Sequence, residues 1–220
     1  MSRNPIDLSL YLVLDPDLCG GMAGMVETAK IAAENGVTVV QLRAPNWKKR
    51  QWLECAQQLK AVLTPLNIPL IINDHADIAL AVDADGVHVG QSDLPVAVVR
   101  DLLGPNKIVG LSTNNLGNVH ELLTPEIAAC IDYIGVGPVY PTSTKKDASP
   151  VIAAAEMAAM FASTGSLPAV AIGGISSGKV APLIAAGADG VAVISAICGQ
   201  PDIARATRNL LTEINLKKGS

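Results

Sequence analysis

Asp74 and Asp93 are two carboxylates that follow successive apolar runs, and Arg43 with the Thr142-Ser-Thr-Lys-Lys146 segment supplies the cations and hydroxyls that would answer them. Two carboxylates suffice as protein ligands for magnesium, which favours hard oxygen ligands, keeps several waters and completes its shell with substrate phosphates. The segment from Asp132 to Lys146 is an apolar strand running into a glycine-proline turn. Gly135 and Gly137 let backbone approach a ligand there, and Thr142, Thr144 and Lys145 offer donors, so the loop suits an anion. Plainer readings stand beside these. Asp74 and Asp93 each also suit the N-cap of a following helix, and a Thr-Ser-Thr-Lys run also suits a polar surface turn.

The elements that must position these groups alternate regularly. Short apolar runs fall at Leu10–Leu14, Thr38–Leu42, Pro69–Ile72, Gly86–Val89, Lys107–Gly110, Asp132–Val136, Ala169–Ile172 and Gly190–Ile194. Amphipathic segments follow them at Ala23–Glu34, Lys48–Leu63, Asp77–Val82, Pro95–Leu102, Asn115–Leu123, Ala153–Ala162, Ser177–Ala186 and Asp202–Glu213. Strand-helix units in that order predict an α/β protein, a (β/α)8 TIM barrel forming a single domain over residues 1–220. The recurring Ala-Asp-Gly-Val pattern before Val87 and before Val191 reads as the turn where a helix returns to the next strand, a structural device and not a catalytic one.

Composition agrees with that architecture. Half of the 220 residues are hydrophobic but only 3% are aromatic, so the interior is built from Ala, Val, Ile and Leu, as when helices cover parallel strands. The scarcity of aromatics and the net charge of -4 argue against nucleic acid and acidic membranes as partners. Cys19, Cys55, Cys130 and Cys198 are widely spaced without a Cys-x-x-Cys pair, which indicates neither a disulfide framework nor a zinc site and predicts a reducing cytoplasm. No signal-peptide core or membrane-length apolar run is seen, and Gly219-Ser220 carries no functional weight.

A barrel gathers scattered residues, because the carboxyl ends of its strands converge on one face. Gln41 and Arg43 end the second strand, Asn73 and Asp74 the third, Asp93 follows the fourth and Ser112 the fifth. Thr142–Lys145 follow the sixth, Gly173–Gly174 the seventh and Ser195 the eighth. Arg43, Lys145 and Lys146 complement a diphosphate. The Gly173-Gly174 pair exposes amides to a second phosphate, with Ser176 and Ser177 opening a helix whose dipole favours it.

Taken together, Gln41-Leu-Arg43, Ile72-Asn-Asp-His75, Ala84-Asp-Gly-Val-His-Val-Gly-Gln-Ser-Asp93, Gly135-Val-Gly-Pro, Thr142-Ser-Thr-Lys-Lys146 and Ala171-Ile-Gly-Gly-Ile175 resemble the thiamine-phosphate synthase family across all eight strands. The resemblance implies a transferase that joins 4-amino-2-methyl-5-hydroxymethylpyrimidine diphosphate to 4-methyl-5-hydroxyethylthiazole phosphate, releasing pyrophosphate. It assigns Gln41, Arg43 and Asn73 to the pyrimidine diphosphate, Asp74 and Asp93 to magnesium, and Lys145 to the departing pyrophosphate. Ser112 falls beside the pyrimidine or its diphosphate, with Arg43, Ser112 and Lys145 as the catalytic set. Thr142 and Thr144 meet the thiazole partner, and Gly174 and Ser195 hold its phosphate. A homodimer is a further expectation of the resemblance.

One position departs from the family pattern, which continues from Gln-x-Arg to an acid and a lysine where this chain has Ala44 and Pro45. Lys48 and Lys49 are the candidates to replace that lysine. His75 is placed to shape the surroundings of Asp74, whereas His88 in an apolar strand and His120 on a helix read as core or surface residues. Two rival functions are a thiazole tautomerase-like relative, which needs a placed base, and a catalytically weak ligand-binding paralogue, which would bind substrate without releasing pyrophosphate.

Overall fold

The computed structural model describes residues 6–142, 144 and 149–218. The eight strands are β1 (Leu10–Leu14), β2 (Val39–Leu42), β3 (Leu70–Asn73), β4 (Gly86–Val89), β5 (Ile108–Thr113), β6 (Tyr133–Val136), β7 (Ala169–Ile172) and β8 (Gly190–Val193). They pair in parallel in chain order, and β1 closes on β8 through Leu10↔Val191, so the sheet is a barrel with no free edge. Between them lie α1 (Pro16–Cys19), α2 (Met22–Glu34), α3 (Lys49–Leu63), α4 (Ala76–Ala81), α5 (Val96–Leu103), α6 (Leu116–Leu122), α7 (Pro125–Ala128), α8 (Ala154–Ser163), α9 (Ala181–Ala185) and α10 (Ile203–Lys218).

The two-residue period of a strand divides the core into two parts. Leu10, Leu12 and Leu14 of β1 join a large cluster with helix residues such as Met25, Ala29 and Trp52, while Tyr11 and Val13 join Val39, Ile71, Tyr133, Val170 and Ala192 inside the barrel. α3 shows why its segment folds as it does: Trp52, Cys55, Ala56, Leu59 and Leu63 recur at helical spacing and are all buried. Truncating one of them, Leu59→Ala for instance, is expected to cost about 2–5 kcal/mol.

A single polar device repeats around the base of the barrel. The residue just before each even strand accepts a backbone N–H from the preceding odd strand: Leu10 donates to Thr38 Oγ1 at 3.1 Å, Leu70 to Asp85 Oδ2 at 2.8 Å, Val109 to Asp132 Oδ2 at 2.7 Å and Ala169 to Asp189 Oδ2 at 2.7 Å. The aspartates of the repeated pattern are thus strand clamps. Asp132 is also paired with Arg100 at 2.6 Å, and that arginine holds the carbonyls of Cys130, Gly104 and Lys107.

Two differences from the sequence expectation bear on the site. β5 runs on to Thr113, so Ser112 lies within the strand and not after it. The segment expected as a helix over Ser177–Ala186 is helical only at Ala181–Ala185. The turn before it is held from outside: Glu213 Oε1 of α10 accepts the Ser177 hydroxyl at 2.5 Å and, with Oε2, the Gly178 N–H at 2.9 Å. The helix-dipole argument for Ser176 and Ser177 therefore fails, since no helix starts there.

Candidate active site

At the carboxyl ends of the strands the barrel opens into a cavity of about 380 Å3. Gln41 and Arg43 enter it from β2 and its exit, Asn73 from β3, Asp93 from the loop after β4, Ser112 from β5, and Thr142 and Thr144 from the loop after β6. The sequence-predicted set is therefore largely brought together. Lys145 and Lys146 lie outside the described residues. Gly174 and Ser195 are not on the cavity wall among the described residues, where their neighbours Gly173 and Ile194 stand instead.

Asp93 stands on the cavity wall, and Asp74, which does not line it among the described residues, lies near enough to Asp93 to feel its charge. Asp74 adopts a left-handed backbone with φ of 59°, which aspartate tolerates better than most residues, and its N–H donates to the His88 carbonyl at 2.9 Å. Asn73 Nδ2 donates to Asp74 Oδ2 at 2.5 Å, so Asn73 orients this acid as well as lining the cavity. Burial, then the charge of Asp93 and a hydrogen bond with it, lift the Asp74 carboxyl to about 6 against the opposing pull of Arg43. Neither acid caps a helix: α4 begins at N-cap His75 and α5 at N-cap Pro95, both without a side-chain cap bond. Asp93 Oδ2 instead accepts the Gly90 N–H at 2.8 Å.

Opposed acids with incomplete neutralisation fit a hard cation, and a two-carboxylate set is what magnesium with phosphate and water requires. Among the described residues no group of three or more His, Cys, Asp or Glu side chains is placed to hold a metal ion.

The lower wall of the cavity is a chain of hydrogen bonds that sequence reasoning missed. Gln41 Nε2 donates to the Tyr11 hydroxyl at 2.7 Å, Tyr11 and Tyr133 hydroxyls are 2.8 Å apart, Tyr133 reaches His88 Nδ1 at 2.9 Å, and His88 Nε2 reaches Ser112 Oγ at 2.9 Å. His88 is thus a cavity residue, not the packing residue its apolar strand suggested. The signal was present in the spacing: Gly86, His88 and Gly90 alternate with outward Val87 and Val89, and the register sets His88 beside Gly110 and Gly110 beside Tyr133. A Cβ on Gly110 would lie 2.2 Å from Tyr133 Cζ and 2.5 Å from His88 Nδ1, so a glycine is needed where these rings cross the barrel.

The glycine pair after β7 is explained by close packing. Gly173 and Gly174 have φ of 104° and 64°, and Cβ atoms there would meet Pro138 Cβ at 2.7 Å and the Pro141 carbonyl oxygen at 2.3 Å. Val139 and Tyr140 N–H groups bond the Ile172 and Gly173 carbonyls, seating the loop after β6 on this turn.

The remaining histidines and lysines play other parts. Lys49 Nζ is hydrogen-bonded to Asp77 and His75, so it is not aimed at the anion side of the cavity, and Lys48 is exposed at the start of α3. His75 packs edge-on to Trp52, with ring centroids 4.6 Å apart, and His120 is exposed on α6.

This fold and cavity define a (β/α)8-barrel protein with a polar small-molecule site at its strand ends. The chain belongs to the thiamine monophosphate synthase family, a family of transferases, whose model matches residues 10–197. It is 53% identical to the thiamine-phosphate synthase of Laribacter hongkongensis, covering 94% of this chain and 96% of that protein, and 50% identical to that of Xanthobacter autotrophicus over 94% and 95%. Among solved structures it is similar to the thiamine phosphate pyrophosphorylase of Pyrococcus furiosus, with a TM-score of 0.85, 33% identity and coverage of 96% and 98%.

Proposed function

We propose that this barrel makes thiamine phosphate from the pyrimidine diphosphate and the thiazole phosphate, and that its acids, cations and hydroxyls divide the labour of one displacement. The observation that carries the reading is a strand-end cavity lined by Gln41, Arg43, Asn73, Asp93 and Ser112, with the Asp74 carboxyl near enough to Asp93 to be raised by its charge. The bond from the pyrimidine methylene to the diphosphate oxygen breaks, the pyrophosphate leaves with the electron pair, and the thiazole nitrogen lone pair forms the new carbon–nitrogen bond. The chain's task is to hold the partners in line and stabilise charge, without a covalent nucleophile.

Asp74 and Asp93 would hold magnesium, which supplies positive charge to the diphosphate. Arg43 pairs with diphosphate oxygens, and Lys145 meets the charge that builds on the leaving group. Gln41 and Ser112 orient the aminopyrimidine side, Thr142 and Thr144 orient the thiazole, and the region of Gly174 and Ser195 receives its phosphate. A cytoplasmic homodimer belongs to the same reading; no helix among the described residues is long and apolar enough to cross a membrane.

The test is incubation of purified protein with both substrates and magnesium, with thiamine phosphate and pyrophosphate measured in parallel. Equal amounts of the two products are expected. Folded protein that forms neither from competent substrates defeats the assignment.

A further inference from the structure

The chain from Gln41 through Tyr11, Tyr133 and His88 to Ser112 crosses the barrel interior, and each junction is 2.7 to 2.9 Å long. Such a chain has a direction. Each phenol carries one hydrogen, and burial, the largest influence on both, drives the ionisation of Tyr11 and Tyr133 upward, so both keep it. Gln41 donates its amide hydrogen to Tyr11. The Tyr11 hydrogen then passes to Tyr133, and the Tyr133 hydrogen passes to His88 Nδ1. A neutral imidazole whose Nδ1 accepts carries its hydrogen on Nε2, and that hydrogen is directed at Ser112 Oγ.

We infer that His88 is a positioning residue, fixed by Tyr133 as the Nε2–H tautomer, which makes Ser112 an acceptor toward the ring and turns the serine hydrogen into the cavity. Ser112 thereby presents a donor to its ligand, selecting an acceptor atom such as a ring nitrogen or a phosphate oxygen. The reverse order is the competing state. If Gln41 presented its carbonyl to Tyr11, every hydrogen bond would reverse, His88 would carry its hydrogen on Nδ1, and Ser112 would spend its only hydrogen on the ring.

The ring has little freedom to escape this choice. A Cβ at Gly110 would lie 2.5 Å from His88 Nδ1 and one at Gly135 would lie 3.3 Å from its Cε1, so the two strands after β4 leave a slot that the imidazole occupies. Tyr133 packs against it with ring centroids 5.4 Å apart. Gln41 and Ser112 both face the cavity, so the amide at one end of the chain sets the hydrogen-bonding character of the hydroxyl at the other.

The consequence for substrate rests on the proposed condensation, but the tautomer does not. Protein labelled with 15N-histidine, without ligand, gives a long-range proton–nitrogen correlation spectrum in which the His88 signals are identified by their loss in His88→Asn. The expected pattern is a protonated Nε2 and an unprotonated Nδ1; a protonated Nδ1 or a doubly protonated ring overturns the inference. In Tyr133→Phe the ring loses the donor that fixes it, so a mixture of tautomers is expected. The KM for the pyrimidine diphosphate should rise about fivefold, the worth of one hydrogen bond, with a smaller change in kcat. A raised KM with an unaltered tautomer, or an altered tautomer with an unaltered KM, also overturns it. If Tyr133→Phe does not fold, the wild-type spectrum decides alone. Failure of the proposed function would show instead as absent product with the Nε2–H pattern intact.

Discussion

Lys49 Nζ stands 2.7 Å from Asp77 Oδ1 and 2.9 Å from His75 Nδ1, which ties the start of α3 to the first turn of α4. Burial raises the Asp77 pKa, but the Lys49 ammonium outweighs it and the net shift is downward. With Lys49 held by Asp77, the expectation is that it does not replace the lysine that the family pattern carries where this chain has Pro45. Pro45→Lys is expected to tighten the pyrimidine diphosphate about fivefold and leave the thiazole phosphate unchanged, while Lys49→Ala changes neither affinity by more than about twofold and costs less than about 1 kcal/mol of stability. Pro45→Ala, as a control for the backbone, should show no gain. Calorimetric titration with each substrate reads these outcomes, and a diphosphate-specific loss in Lys49→Ala would show that Lys49 does serve the site.

Asp74→Asn separates repulsion from ligation. The folded-state pKa of Asp74, about 6, lies above its ordinary value of 3.8, so the protonated acid favours the fold. That contribution is fully present below about pH 3.8 and is lost as pH rises through about 6. An asparagine stays neutral and tolerates the same left-handed backbone. The metal-free variant is expected to melt at a higher temperature than the wild type above pH 6, with the difference shrinking toward pH 4. Its turnover should fall at least about tenfold and its magnesium requirement should rise. Calorimetric melting with EDTA and a magnesium titration of the rate check the two halves; a lower melting temperature at pH 8 would contradict the opposed-acid account.

Gly110→Ala tests whether the two rings need the space that β5 leaves. The added Cβ meets Tyr133 Cζ at 2.2 Å, in a barrel interior that cannot readily shift. Overpacking of this kind is expected to cost about 1–3 kcal/mol, read as a lowered denaturant midpoint. Ser112→Ala removes the acceptor of the His88 Nε2–H but leaves that donor facing the cavity, so it should lower the midpoint less than Gly110→Ala does while lowering activity.

Lys145→Ala is expected to lower kcat about a hundredfold, because a cation that meets charge developing on the leaving group acts in the transition state more than in substrate binding. Single-turnover kinetics at saturating substrates read that step directly, and an unchanged rate excludes the role.

All the strands except β5, which ends three residues later than expected, were legible to within a residue, because β-branched runs between glycine and aspartate turns mark strands buried on both faces. Most of the site followed, since a barrel sends its strand ends to one face. His88, Tyr11 and Tyr133 did not follow. In a run such as Leu10-Tyr-Leu-Val-Leu14, a tyrosine looks like filler, and only the register across four strands reveals that its hydroxyl has a partner 122 residues away. The turn at Ser176–Gly178 was misread for a similar reason: its donors are taken by Glu213, a contact that no local pattern announces.

The most direct measurement is a crystal structure of the protein grown with thiamine phosphate and magnesium pyrophosphate. The account predicts both ligands in the strand-end cavity, magnesium bound by Asp74 and Asp93 at about 2.1 Å, Arg43 on the pyrophosphate and the Ser112 hydroxyl on the pyrimidine or the pyrophosphate. Ligands seated outside this cavity, or a magnesium ion that neither carboxylate touches, would contradict it.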